Sequence, residues 1–138
     1  MPPIAYRALA IAAIVLGSAC ATMETAIVAQ PGVAFDLPIG KTAAFNGNGV
    51  RITFKQVPED SRCPVDVQCV WAGDAKIQLT ISRDGVPDDV KVISLTAPNN
   101  ETTSGDLRIR FIGLAPVPRQ ADAGKPRPYV AQLVVNRS

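Results

Sequence analysis

The cysteines and the missing histidine limit the chemistry that this 138-residue chain can perform. It contains three cysteines, Cys20, Cys63 and Cys69, and no histidine, the commonest general base and metal ligand. Nucleophilic systems that pair serine or cysteine with histidine are therefore excluded. If Cys20 carries a lipid, the two remaining cysteines without histidine cannot supply the four nitrogen and sulfur ligands of a closed zinc site. We expect no metal, no cofactor and no catalysis, with a carboxylate pair that meets only in space as the enzymatic alternative.

Cys63 and Cys69 enclose five residues in a segment between two strand patterns. In an exported protein, such a pair forms a disulfide by default, and the loop-closure contribution is about 2–2.5 kcal/mol for so small a ring. A redox-active pair is the alternative, although catalytic pairs usually have the C-x-x-C spacing. The bridge predicts a stiff connection over residues 60–71.

Asp60, Ser61, Arg62 and Trp71 are the candidate binding residues of this loop. In a structural interpretation, the first two accept backbone N–H bonds and Arg62 pairs with Asp60 or Asp66. In a functional interpretation, the loop is a rigid recognition element with Arg62 and Trp71 as anchors. The structural interpretation places Trp71 in the core at the start of a strand, and the functional one makes it a ligand platform.

The same segment resembles a motif of small bacterial envelope proteins and lipoproteins. In them, Asp-Ser-Arg-Cys-Pro precedes a second cysteine, a nearby Trp and a Gly. The matching residues are Asp60, Ser61, Arg62, Cys63, Pro64, Cys69, Trp71 and Gly73. The resemblance implies a small β domain at the cell envelope and brings no established activity. Gly73 is expected to allow a β-bulge or a close strand crossing.

The N-terminal residues have the three parts of an export signal. Arg7 supplies the positive charge, residues 8–16 form an apolar run, and Gly17, Ser18 and Ala19 form a small-residue cleavage zone. The apolar run is shorter than the roughly 20 residues that a membrane-spanning helix needs. Residues 1–19 are therefore predicted to be a signal peptide that is cleaved.

Cys20 follows Gly-Ser-Ala in an arrangement that resembles the bacterial lipobox, in which the cysteine is lipidated. Lipidation of Cys20 leaves the other two cysteines free to pair with each other. Because Ala21 rather than Asp follows, the resemblance implies an outer-membrane lipoprotein that faces the periplasm, for a Gram-negative source. Gly17 stands where the lipobox usually has Leu. Ordinary cleavage, which gives a soluble periplasmic or secreted protein, is therefore the alternative.

The mature chain is predicted to be one antiparallel β-sandwich, immunoglobulin-like or a small barrel. Residues 20–31 are a tether after the lipidated cysteine, and residues 32–138 form the domain. Apolar and polar residues alternate with period 2, which places one face of each strand on a core. Turn residues separate the segments. The seven predicted strands cover 33–37, 41–45, 49–57, 76–81, 90–95, 107–111 and 129–135.

These features predict an exported, lipid-anchored β domain with a binding or structural role at the bacterial envelope. The expected partners are the membrane, through the lipid, and an envelope protein. A formal charge of +2 gives no reason to expect nucleic acid, and a monomer is expected. A late basic group, Arg119, Lys125 and Arg127, adds anionic lipid or polymer as an alternative contact.

The alternative function is inhibition of an envelope protease or other enzyme by the loop 61–71. An inhibitor should project Arg62 and residues 65–68 into solvent. A scaffold should instead pack the loop against the sheets. An enzyme should show a pocket with two converging carboxylates.

Overall fold

The computed structural model describes residues 26–45 and 49–138, and these contain nine strands and one 3₁₀ turn. The predicted signal segment 1–19, Cys20 and the turn residues 46–48 lie outside the described residues. The strands are β1 (Ile27–Ala29), β2 (Phe35–Pro38), β3 (Thr42–Phe45), β4 (Val50–Asp60), β5 (Ala75–Arg83), β6 (Val86–Ser94), β7 (Glu101–Ser104), β8 (Leu107–Ala115) and β9 (Val130–Arg137). The 3₁₀ turn, Gln120–Asp122, lies between β8 and β9.

Two sheets form a β-sandwich, which confirms the predicted fold class. The first sheet has the order β1-β3-β4-β5-β6 and the second has the order β2-β9-β8-β7. Every pair is antiparallel except β1 with β3, which is parallel. Within the described residues, neither sheet closes on itself, so the fold is a sandwich and not a small barrel.

The core follows directly from the period-2 pattern of the sequence. Alternate residues are buried on β4 from Val50 to Phe54, and on β5 from Ala75 to Ile81. Ile52 of β4 lies opposite Ile81 of β5, so their side chains share the inner face. The second sheet supplies the facing layer: Leu107, Ile109, Phe111, Leu114, Ala131, Leu133 and Val135. Each large buried side chain contributes about 1.5–3 kcal/mol by leaving water.

Two strands were not anticipated from the sequence. β1 lies inside the segment expected to be an unstructured tether, and it pairs with β3 at the edge of the first sheet. β7 lies in a segment expected to be a polar loop, and only its last residue, Ser104, is buried. Strands of three and four residues are too short to show a readable period. The described part of the chain therefore contains nine strands, two more than the seven predicted.

Two long connections leave the sandwich at the same end. In the first sheet, β4 ends at Asp60, which pairs with Ala75 at the start of β5. In the second sheet, β8 ends at Ala115, which pairs with Val130 at the start of β9. We call this the loop end. It carries the disulfide loop (residues 61–74) and the proline-rich segment (residues 116–129).

Candidate functional site

The disulfide loop extends the hairpin formed by β4 and β5. The Ser61 N–H donates to the Asp74 carbonyl oxygen at 2.8 Å, and the Cys63 N–H donates to the Ala72 carbonyl oxygen at 2.9 Å. Beyond these bonds, Cys63 and Cys69 form the predicted disulfide, with Cα atoms 5.9 Å apart. The base of the loop is therefore held by backbone hydrogen bonds, and the bridge closes the part beyond it.

Gly73 allows the two sides of the loop base to approach closely. Its φ is +70°, a conformation that L side chains rarely adopt. A Cβ atom built at this position would overlap the carbonyl oxygen of Ser61. On the same rung, the Ser61 hydroxyl accepts a hydrogen bond from the Asp74 N–H at 3.1 Å. Gly73 therefore permits a close backbone approach in the loop base, whereas the sequence predicted a β-bulge or a strand crossing at this residue.

Asp74 joins the loop base to the segment that follows β6. Its Oδ1 accepts hydrogen bonds from the Ala75 N–H at 2.8 Å, the Thr96 N–H at 3.0 Å and the Thr96 hydroxyl at 2.9 Å. Burial alone would raise the pKa of the Asp74 carboxyl, but these donors outweigh it and lower the pKa. The carboxylate therefore stays charged and fixes the end of the hairpin.

Asp60 is the centre of a buried cluster of polar and charged side chains. Only 7% of the Asp60 side chain is exposed. Arg62 donates to it twice, from Nε to Oδ1 at 2.7 Å and from Nη2 to Oδ2 at 2.9 Å. Oδ2 also accepts from Arg127 Nη1 at 3.0 Å and from the Tyr129 hydroxyl at 2.9 Å. We call Asp60, Arg62, Arg127 and Tyr129 the Asp60 cluster.

Arg62 connects the Asp60 cluster to the second sheet by hydrogen bonds. Its Nη1 donates to the Leu114 carbonyl oxygen at 2.6 Å, and its Nη2 donates to the Pro116 carbonyl oxygen at 3.1 Å. The planar guanidinium suits this role, because it can bind a carboxylate with one edge and backbone carbonyls with another. Of the two predicted partners for Arg62, the structure shows Asp60. The Arg62 side chain is 12% exposed, so it does not project into solvent as the inhibitor alternative requires.

The electrostatics of the cluster favour the ionised Asp60. Burial by itself raises the pKa of the Asp60 carboxyl, but the hydrogen bonds from Arg62 and Tyr129 and the Arg62 charge bring it below its usual value. The pKa of the Tyr129 hydroxyl is raised by burial and by its hydrogen bond to the carboxylate. Tyr129 thus stays a neutral donor, and Asp60 stays a charged acceptor.

The proline-rich segment lies against one side of the disulfide loop. The Val65 N–H donates to the Pro118 carbonyl oxygen at 3.0 Å. Asp66 Oδ1 accepts from the Gln120 N–H at 2.8 Å, and this bond lowers the pKa of the Asp66 carboxyl. The predicted stiffness of the loop therefore has a second source, because contacts outside the ring hold it as well.

Four apolar side chains of the loop remain in water. Val70 is 94% exposed and Trp71 is 77% exposed, and Val65 and Val67 are also exposed. The prediction that Trp71 belongs to the core is wrong, because β5 begins only at Ala75 and leaves Trp71 in the loop. We call Val65, Val67, Val70 and Trp71 the apolar tip.

The predicted binding residues thus divide into two groups. Asp60 and Arg62 lie in the buried cluster, and Ser61 bonds to the loop base, whereas Trp71 points to solvent. Sequence reasoning missed Arg127 and Tyr129 as partners of Asp60, because they are more than 60 residues away and no local pattern links them.

Two residues of the late basic group form ion pairs within the protein. Arg127 is paired with Asp60, and Lys125 Nζ lies 3.1 Å from Asp122. A groove of about 140 Å³ beside the proline-rich segment has one carboxylate in its lining, Asp122. The converging pair that hydrolysis would need is not found in this groove.

In residues 26–45 and 49–138, no group of three or more Cys, Asp or Glu side chains is placed to hold a metal ion. Within the same residues, no helix has the length and apolar character to cross a membrane.

Comparisons with protein-family models, with curated proteins and with solved structures found no match to this chain. The resemblance to small bacterial envelope proteins therefore stays a prediction carried by the motif around Cys63 and Cys69.

Asp60→Asn tests how far the Asp60 cluster holds the loop end together. The substitution leaves the Arg62 and Arg127 guanidinium groups without a counter-charge, and unpairing a buried charge costs about 3 kcal/mol or more. We expect the free energy of unfolding at pH 7, measured by urea denaturation, to fall by about 3 kcal/mol. Asp84→Asn is the matched control, since it breaks only the exposed pair with Arg51 and should cost less than about 1 kcal/mol. Equal losses in the two variants would contradict the role of the cluster.

The stability difference between wild type and Asp60→Asn should also depend on pH. Because the pKa of Asp60 is lower in the folded protein, the unfolded state binds more protons in acid, and the stabilisation is lost as the pH falls below about 4. The stability difference between wild type and Asp60→Asn should therefore shrink between about pH 5 and pH 2. A difference that stays constant over this range is the contrary outcome.

Gly73→Ala tests the close approach in the loop base, with Gly85→Ala as its control. Both glycines have positive φ, but a Cβ atom at Gly85 meets nothing within 4 Å. Gly85→Ala should therefore cost only the conformational penalty, about 1–2 kcal/mol. Gly73→Ala should cost more in thermal or urea unfolding, because the Ser61 carbonyl must also move. Equal costs would show that the base tolerates a side chain.

Proposed function

We propose that this chain is an exported, lipid-anchored β domain that acts without catalysis at the bacterial cell envelope. Residues 1–19 direct export, and Cys20 carries the lipid, at the periplasmic face of the outer membrane. The folded domain presents the apolar tip as its contact surface. The signal-like N-terminus, the Gly-Ser-Ala-Cys context and the cysteine motif support the location.

The observation that carries the contact surface is the contrast between the two parts of the disulfide loop. Its base is fixed by the Asp60 cluster and by the bonds of Ser61 and Asp74. Its tip holds Val70 and Trp71 in water, although burial would favour both side chains. Exposed apolar groups on a fixed support are typical of binding sites, because little conformational entropy is lost on contact.

The loop residues have different roles in this function. Trp71 and the valines of the tip touch the partner, and tryptophan is a frequent anchor at interfaces. Asp60 and Arg62 are positioning residues, since their side chains are occupied within the protein. Loss of Arg62 would affect binding through the position of the loop, and loss of Trp71 would affect it through contact.

Inhibition of an envelope enzyme is the second candidate function. The exposure of Val65 and Val67 favours it, because a disulfide-closed segment in solvent could enter an enzyme's substrate groove. In that case residues 65–68 would make the contact, and Arg62 would only support them. The partner would then be a protein with a cleft.

Lipidation of Cys20 is the first test of the proposal. Cells that express the full chain should incorporate radiolabelled palmitate into it, and Cys20→Ser should abolish the label. Cys63→Ser serves as the control, because it changes a cysteine outside the predicted lipidation site. Release of unlabelled wild-type protein as a soluble species would overturn the lipid anchor.

The contact surface is tested by photo-crosslinking in intact cells. A photoreactive residue replaces Val70 in the tip, or Val86 at the opposite end of the sandwich as the control; both positions are exposed. We expect an adduct with envelope material, either lipid or protein, from position 70 and none above background from position 86. The same yield at the two positions would refute the tip as the contact surface.

A further inference from the structure

The apolar tip lies at the same end of the sandwich as the start of β1. β1 runs parallel to β3, and β3 runs antiparallel to β4. Because β4 ends at Asp60, β3 and β1 both begin on the side of the loop end. The chain therefore enters β1 at Ile27 from the direction of the disulfide loop.

The segment before β1 is long enough to reach that end. The rung of the sheet that contains Ile27 also contains Ile81 of β5. Ala75 lies six residues before Ile81 on β5, opposite Asp60. At the usual strand rise, the distance along the sheet from the rung of Ile27 to the rung of Asp60 is about 20 Å. Six residues lie between Cys20 and Ile27, and an extended chain with these seven Cα–Cα steps spans at most about 24 Å. Fully extended, this segment brings Cys20 about level with the rung of Asp60, and the tip extends beyond that rung. The acyl chains of the lipid must then supply the remaining reach into a bilayer that faces the loop end.

The composition and size of the tip suit a lipid surface. Tryptophan is enriched at the level of lipid headgroups, where its ring is partly apolar and its N–H stays hydrated. A stable protein complex usually buries about 800 Å² on each partner, from 20 or more residues. Four side chains fall short of that requirement. They suffice as a second attachment beside a lipid chain, because membrane anchoring commonly needs two weak signals.

The charges around the tip do not oppose this contact. Asp66 is the acidic residue between Cys63 and Cys69, and its carboxylate accepts from the Gln120 N–H in the proline-rich segment. Lys125 is paired with Asp122 in the same segment. The N–H of Gln120 does not neutralise Asp66, so this carboxylate keeps its negative charge, and the charge of Arg119 acts on it. The charges around the tip thus include no excess of positive charge that would require anionic lipid.

We propose that the apolar tip docks on the surface of the same bilayer that holds the Cys20 lipid, with Trp71 at the headgroup level. The domain then stands with its loop end on the membrane. This inference rests on the proposed function, which supplies the anchor and the exposed tip, and it names the partner of the tip as lipid.

Trp71 is the one tryptophan of the chain, so its fluorescence reports on the tip alone. The full acylated chain is reconstituted into phosphatidylcholine–phosphatidylethanolamine vesicles, with or without bromine on the acyl chains near the headgroups. We expect Trp71 emission to move to shorter wavelength and to be quenched by the brominated lipid. Val70→Asp should lose most of this quenching while the lipid keeps the protein on the vesicle. Val86→Asp, at the opposite end, should keep it.

Two results would overturn lipid docking. Trp71 emission that is not quenched by brominated lipid would do so, and so would equal quenching in the two aspartate variants. If Trp71 is not quenched but position 70 still gives a protein adduct in cells, the proposed function stands and its partner is a protein. If neither lipid nor protein is found at the tip, both proposals fail.

Discussion

The carboxylate of Asp60 is nearly removed from water, and a buried charge is stable only where donors surround it. The donors come from two separate parts of the chain. Arg62 belongs to the disulfide loop, whereas Arg127 and Tyr129 precede β9. Satisfying one carboxylate therefore fixes the loop against the second sheet, and Arg62 adds bonds to the carbonyl oxygens at the end of β8. The arrangement of the loop end depends on this charge.

The disulfide and the Asp60 cluster restrict the loop in different ways. The bond between Cys63 and Cys69 closes a small ring, which limits the shapes that the loop can take. A closed ring alone does not determine where its side chains point. The cluster provides that direction, and Gly73 lets the two sides of the base approach closely enough. Together they leave Trp71 in water at the end from which the chain enters β1.

The sequence predicted those features that depend on local pattern. Period-2 alternation identified the long strands, and cysteine spacing identified the bridge, because both signals depend only on residues that are close in sequence. β1 and β7 were missed because strands of three or four residues acquire their structure from partners. Trp71 was misplaced because the start of β5 is set by its pairing with β4. The pairing of Asp60 with Arg62 was anticipated, whereas Arg127 and Tyr129 were not, since only the folded sandwich brings them near.

Internal contacts should hold the base of the disulfide loop as firmly as a strand. Backbone ¹⁵N relaxation of the full chain measures this directly, through the order parameters of the Ser61, Arg62 and Cys63 amides. The account predicts values of about 0.85, equal to those of β4 and β5, as for rigid backbone. Values below about 0.6 at these three amides would show a mobile loop and would contradict it.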